Sequence, residues 1–157
     1  DFWGDSTVKR VFATSTQYQS SVAPDSACQS SAINAGLGGS WKAWTSEQTP
    51  AATKQNHFNG KYQLVDGTTI ANNWNDLIDG NLIRPINKSE YLGLVVGSVW
   101  TGSLPSGIST NNNCNNWSSL LSTPTATVGD PSATNSNWSN KGIQSCSTRA
   151  FLYCIEQ

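Results

Sequence analysis

The sequence has no methionine, one histidine and little charge, and each shortage narrows the classes of function open to it. Charged residues make up 12% of its 157 positions, about half the ~25% usual for soluble domains. At a formal net charge of −1 it lacks the excess of positive charge that holds nucleic acid or anionic membranes. No segment approaches the ~20 apolar residues of a membrane span, so no membrane insertion is expected. The longest apolar run, Tyr91 to Trp100, is interrupted by Gly93 and Gly97 and reads as a buried strand. The lone histidine, His57, leaves little material for a Ser-His-Asp triad or a mixed Cys/His zinc site. With no methionine to start from, the chain is expected to be a processed product or an excised domain. Residues 1–7 are read as a linker or the end of a preceding segment, and 8–157 as one domain.

What fills the space is Ser, Thr, Asn and Gln, concentrated in 14–31, 45–59 and 106–147. Such a surface makes neutral hydrogen bonds rather than strong fields. Four cysteines stand at 28, 114, 146 and 154, with no pair spaced as Cys-x-x-Cys. An even number without metal-type spacing reads as two disulfides formed in an oxidising compartment, with all three pairings open.

Along the chain, Val8 to Thr14 reads as an early strand and 24–38 as a helix. Pro24 and Asp25 suit its first turn, and Gly36 and Gly38 a left-handed stop. A strand is expected at Ser40–Thr45, with Trp41 and Ala43 on one face and Lys42 and Trp44 on the other. The polar stretch 46–60 reads as loop. In 61–71 (KYQLVDGTTIA) two β-prone runs flank Asp66-Gly67, a tight-hairpin signal. Asn72 or Asn73 can then cap a short helix with Trp74, Leu77 and Ile78 on one face, ended by Gly80. A strand over 92–100, loops over 101–113 and most of 122–142, and a central last strand at Arg149–Ile155 complete the reading. The first and last strands are candidates to pair. This is an α+β domain with short helices and much irregular structure.

The ending Cys146-STRAFLY-Cys154-Ile155-Glu156 carries two cysteines eight positions apart around the last strand. It resembles the closing segment of C-type-lectin-like domains, most closely the endostatin-like type found in collagens and bacterial surface proteins. Similar segments run in register over most of the chain: 32–46, 62–80, 97–107, Cys114-Asn-Asn-Trp117 and the ending. The resemblance implies a C-type-lectin-like (endostatin-like) fold of mixed antiparallel sheets, with Cys28 joined to Cys154 and Cys114 to Cys146.

Calcium is not expected. A site needs six to eight hard oxygens, usually including several carboxylates, and the loop 101–113 is short and holds no Asp or Glu. Trp74-Asn75-Asp76 reads as a helix start, and Trp138-Ser139-Asn140 lacks the acid that a calcium-binding member carries there. The zinc and heparin binding of endostatin do not carry over either. The chain opens Asp1-Phe2-Trp3-Gly4 without histidine, and Arg10, Arg84 and Arg149 are few and scattered. The acids Asp66, Asp76 and Asp79 read as a turn residue and two helix positions rather than a catalytic pair. No metal, cofactor or catalytic group is expected, and the chain is read as no enzyme.

Of the seven tryptophans, Trp41, Trp44, Trp74 and Trp100 fall in periodic core segments. Trp117 reads as half-buried beside a disulfide. Trp3 and Trp138 are flanked by polar residues. Trp138 either covers the core from a strand edge or presents its face to a sugar ring. Asn87, Asn116 and Asn137 head Asn-x-Ser acceptor patterns. The resulting expectation is an extracellular, cell-surface adhesion or recognition domain binding a surface glycan, or a host or prey cell-surface protein, without calcium. Its loops 101–113 and 122–142 would make the contact, through Asn111, Asn112, Asp130, Asn137 and Trp138. The alternative is a structural module that caps or trimerises a fibre, with Phe2 and Trp3 as an anchor.

Overall fold

The computed structural model of the chain describes residues 7–157, so the readings placed on Phe2, Trp3 and residues 1–6 lie outside it. In chain order the strands are β1 (Val8–Ala13), β2 (Tyr18–Gln19), β3 (Trp41–Ala43), β4 (Lys61–Leu64), β5 (Thr69–Ala71), β6 (Val99–Trp100), β7 (Thr125–Gly129), β8 (Gly142–Ser145) and β9 (Arg149–Glu156). The right-handed helices are α1 (Pro24–Asn34), α2 (Ala51–Lys54) and α3 (Trp74–Leu77). A 3-10 turn spans Ser136–Trp138.

Strand β9 is apolar on both faces and therefore has to be covered on both and paired along both edges. Its first half lies between β2, antiparallel, and β6, parallel; its second half lies between β1 and β3, both antiparallel. The main path through the sheet runs β5-β4-β1-β9-β6-β7-β8. Because β1–β4 and β6–β9 are parallel, the sheet is mixed rather than antiparallel throughout.

Two-residue periodicity divides the buried side chains into two cores, one on each face. Val11, Tyr153 and Ile155 join Trp44, Tyr62, Trp74 and Trp138 in one. Phe12, Leu152 and Cys154 join Trp41, Trp100 and Trp117 in the other. The anticipated split at β3 holds, with Trp41 and Ala43 in one core and Trp44 in the other.

The structure pairs Cys28 with Cys154 and Cys114 with Cys146, at sequence separations of 126 and 32. In the chain-entropy treatment these closures stabilise by about 5 and about 4 kcal/mol. Arg10 adds a two-pronged ion pair from β1 to Glu156 on β9, at 2.9 and 2.8 Å, which occupies its guanidinium.

Several local expectations change. The run Tyr91–Trp100 is not a buried strand: only Val99 and Trp100 form a strand, Leu94 makes a single bridge to Lys88, and Tyr91, Leu92, Leu94 and Val96 are exposed. The buried Glu90 accepts from the Ser15 amide and hydroxyl, while the Ser89 hydroxyl accepts from the Tyr91 and Gly93 amides. The segment is thus folded into a hairpin tip with Leu92 at φ 69° and its apolar side chains outward. Region 122–142, mostly loop as expected, contains β7, in which Ala126, Thr127, Val128 and Gly129 are all buried. Helix α1 stops at Asn34, ahead of Gly36 and Gly38 at φ 74° and 64°. The predicted loop 46–60 contains α2. Asp79 lies beyond α3, and Trp117 is buried rather than half-buried.

Candidate functional site

The segment Asn111-Asn-Asn-Cys-Asn-Asn-Trp117 adopts a conformation that its composition favours. Asparagine tolerates the left-handed region better than most non-glycine residues. Here Cys114, Asn115, Asn116 and Trp117 all have φ between 56° and 59°, forming one left-handed helical turn, and Asn111 sits at φ 60°. The turn closes through Trp117 N–H to the Asn113 carbonyl at 2.7 Å and Ser118 N–H to the Cys114 carbonyl at 3.0 Å. Left-handed backbone costs about 1–2 kcal/mol per non-glycine residue, so it persists only where its surroundings impose it.

Three restraints impose it. The Cys114–Cys146 disulfide fixes the start of the turn. The Trp117 indole is buried and donates to the Ser46 carbonyl at 3.0 Å. The Asn113 side chain donates to the same carbonyl at 3.1 Å while accepting from Asn116 N–H at 2.8 Å. Just upstream, Asn112 is held to β7: its carbonyl accepts from Thr127 N–H and its side-chain oxygen from the Thr125 hydroxyl at 2.8 Å.

Against this turn lies a groove of about 570 Å³. It is lined by Glu47 and Gln48, by five asparagines (Asn111, Asn112, Asn113, Asn115 and Asn116), and by Thr123, Pro124 and Thr125. Asn113 is consumed by the scaffold. Among the described residues the side-chain amides of Gln48, Asn111, Asn115 and Asn116 make no hydrogen bond, so each presents both a donor and an acceptor. Glu47 is the one ionisable side chain in the lining. Its carboxylate accepts from Lys54 at 3.0 and 3.1 Å and from the Thr45 hydroxyl at 2.9 Å. Lys54 also bonds Asp25 at 2.9 Å, and its side chain is only 9% exposed.

Of the residues expected to contact a ligand, Asn111 and Asn112 line the groove. Asp130, Asn137 and Trp138 do not; they form the turn beyond β7. Asp130 accepts from the Ser132 amide and hydroxyl and from its own side donates its amide to the Asn137 carbonyl. Partial burial pushes the Asp130 carboxyl up, but the Ser132 bonds and the Lys141 charge outweigh it and hold the pKa below the usual value. Asn137 is exposed. Trp138 is fully buried, its ring 5.2 Å from Trp44 and 5.6 Å from Tyr153, so it cannot offer a stacking face. The Asn-x-Ser context looked like a surface, yet Asn135 caps a 3-10 turn that drives the indole inward.

Glu47, Gln48, Asn115, Asn116 and the threonines of the groove were not foreseen as site residues. The signal for two of them was present: consecutive asparagines are, after glycine, the residues that most readily enter a left-handed turn.

The other polar candidates serve the fold locally. His57 stacks on Trp74 at 4.0 Å and its Nε2 lies 2.7 Å from the Ala52 carbonyl. Asp66, Asp76 and Asp79 accept from the amides of Thr68, Asn72 and Asn81. Among the described residues no three His, Cys, Asp or Glu side chains converge as a metal site, and no helix is long and apolar enough to cross a membrane.

Fold and site together define a disulfide-bonded α+β domain that carries an amide-lined groove with one carboxylate, set against a left-handed turn. No family model matches the chain, and no curated protein matches it.

Proposed function

We propose that this is an extracellular recognition domain of the C-type-lectin-like, endostatin-like type, binding a cell-surface glycan in the asparagine groove without calcium. The observation that carries the reading is the set of unengaged carboxamides held on a backbone that cannot relax. Carboxamides bond sugar hydroxyls as donor and acceptor at once, and a pre-set turn spares the ligand the entropy of ordering it. The fold assignment is supported by the disulfide pairing, first cysteine to last and middle to middle, and by the pairing of β1 with β9. Two disulfides suit an oxidising, extracellular setting. A binding role rather than catalysis is supported by the acids, which are spent on neighbouring amides or on Lys54.

A glycan-array screen of the oxidised domain, with and without EDTA, tests the proposal. Asn115→Gly and Asn116→Gly remove a carboxamide while keeping a residue at ease with positive φ. The expectation is EDTA-insensitive binding that weakens at least about tenfold in the double variant, the equivalent of one or two lost hydrogen bonds. Binding abolished by EDTA would refute the calcium-independent reading. A blank array would shift the ligand to a cell-surface protein of host or prey.

A second reading, a module that caps or trimerises a fibre, is favoured by the exposed Tyr91, Leu92, Leu94 and Val96. An apolar tip of this kind is a normal feature of self-association surfaces. Light scattering of the wild type against Leu94→Ser/Val96→Ser decides it: a trimer that the variant dissolves would support the structural role.

A further inference from the structure

Resting on the glycan reading, we infer that Glu47 is a specificity-determining residue that makes the groove select neutral glycans and reject acidic ones. Every other side chain in the lining is uncharged, so Glu47 is the one charged group that a ligand there would touch, and the cluster behind it, Glu47 and Asp25 against Lys54, carries one net negative charge. Its side chain keeps 26% exposure, enough to meet a bound group.

The nearby cation is shared between two carboxylates, Glu47 and Asp25, and so does not neutralise both. Lys54 lies behind the carboxylate, 9% exposed, with its ammonium donating to Asp25, Thr45 and both oxygens of Glu47. It has no remaining donor to turn toward the groove. Lys42 donates to the Lys54 carbonyl and is not part of the lining. A ligand carboxylate or sulfate would therefore meet an acceptor-only group of its own sign, with amides as its only compensation. Like charges brought together in a partly desolvated site are strongly selected against. A hydroxyl has no such difficulty: it donates to Glu47 and exchanges bonds with Asn111, Asn115 and Asn116.

The test reads a ratio, so that a change in overall affinity does not confuse it. Matched pairs of neutral glycans and their sialylated, uronate or sulfated counterparts are titrated against the wild type, Glu47→Gln and Gln48→Glu. The wild type is expected to prefer the neutral member by about tenfold or more. Glu47→Gln should bring that preference close to unity. Gln48→Glu, on an exposed position of the same lining, should widen it, and it leaves the Lys54 link untouched should Glu47→Gln fold poorly. Equal or better binding of acidic members by the wild type, or a ratio indifferent to both variants, overturns the selectivity while leaving glycan recognition standing. A blank array for all three proteins overturns both.

Discussion

The indole N–H of Trp117 donates to the Ser46 carbonyl at 3.0 Å, joining the left-handed turn to the segment that carries Glu47 and Gln48. The two walls of the groove thus share one acceptor, which also takes the Asn113 amide at 3.1 Å. Trp117→Phe keeps most of the packing against Trp100, whose ring lies 6.0 Å away, but deletes the donor. It should cost about 1–3 kcal/mol, from the hydrogen bond and the smaller ring. A urea midpoint unchanged from wild type would show that the turn does not depend on this link.

Gly102 approaches the same place from the loop after β6. At φ +58° an added Cβ would stand 3.1 Å from the Asn113 Cβ and 3.1 Å from the Trp117 ring. Gly36 offers the control: φ +74° with nothing within 4 Å of the added carbon. Both alanine variants incur the left-handed penalty of about 1–2 kcal/mol. Gly102→Ala should lose about 1 kcal/mol or more beyond Gly36→Ala, because the neighbours that must give way are the fixed parts of the turn. Equal losses in urea titrations would mean that the turn yields easily.

What the sequence made legible, and what it hid, follows from the range of the interactions involved. The β4–β5 hairpin and the Asn73-capped α3 rest on local turn and cap chemistry and stand where expected. The pairing of β1 with β9 is long-range, but a strand apolar on both faces needs partners on both edges, and the pairing stands as expected too. Tyr91–Val96 misled because an apolar run signals burial only if nothing turns it outward. The inward carboxylate of Glu90 and its partner Ser15, 75 positions away, do that here. Of the two readings of Trp138, burial against Trp44 and Tyr153 bears out the core-covering one and rules out its use as a stacking face, while its polar neighbour Asn135 caps the 3-10 turn. Of the ten residues that line the candidate site, Asn111 and Asn112 were visible. Glu47 and Gln48 reach it only through Ser46, a contact 71 residues long in sequence.

The buried tryptophans give a comparison with a definite sign. Trp44 Nε1 donates to the Ser139 hydroxyl at 2.9 Å, whereas Trp138 Nε1 is buried with no partner among the described residues. Replacing each by Phe removes similar volume from one shared core, but only Trp44→Phe breaks a hydrogen bond. Trp138→Phe also relieves an unsatisfied donor, worth about 1–3 kcal/mol against the native fold. Trp44→Phe should therefore be the more destabilising by about 1–2 kcal/mol in chemical denaturation with the disulfides intact. An equal or larger loss for Trp138→Phe would indicate a partner for its indole.

Alkaline pH probes the same core. Tyr153 is wholly buried and donates to the Trp138 carbonyl at 2.7 Å. Burial, helped by the Asp130 charge, raises its pKa well above 10.0. Tyr62 is also raised, by burial working against the Phe58 amide that donates to its oxygen. In the unfolded chain both ionise near pH 10. Above that pH the folded state still binds protons that the unfolded state has released, so stability is complete below about pH 10 and falls as pH rises toward the folded values. Each group contributes a slope of up to about 1.4 kcal/mol per pH unit. All four cysteines are bonded, which removes the thiolate needed for disulfide exchange. Urea midpoints should thus hold steady from pH 7 to 9.5 and drop above 10, and Tyr153→Phe should start lower yet fall less steeply. A wild-type curve as flat as that of the variant would mean that the Tyr153 hydroxyl reaches water.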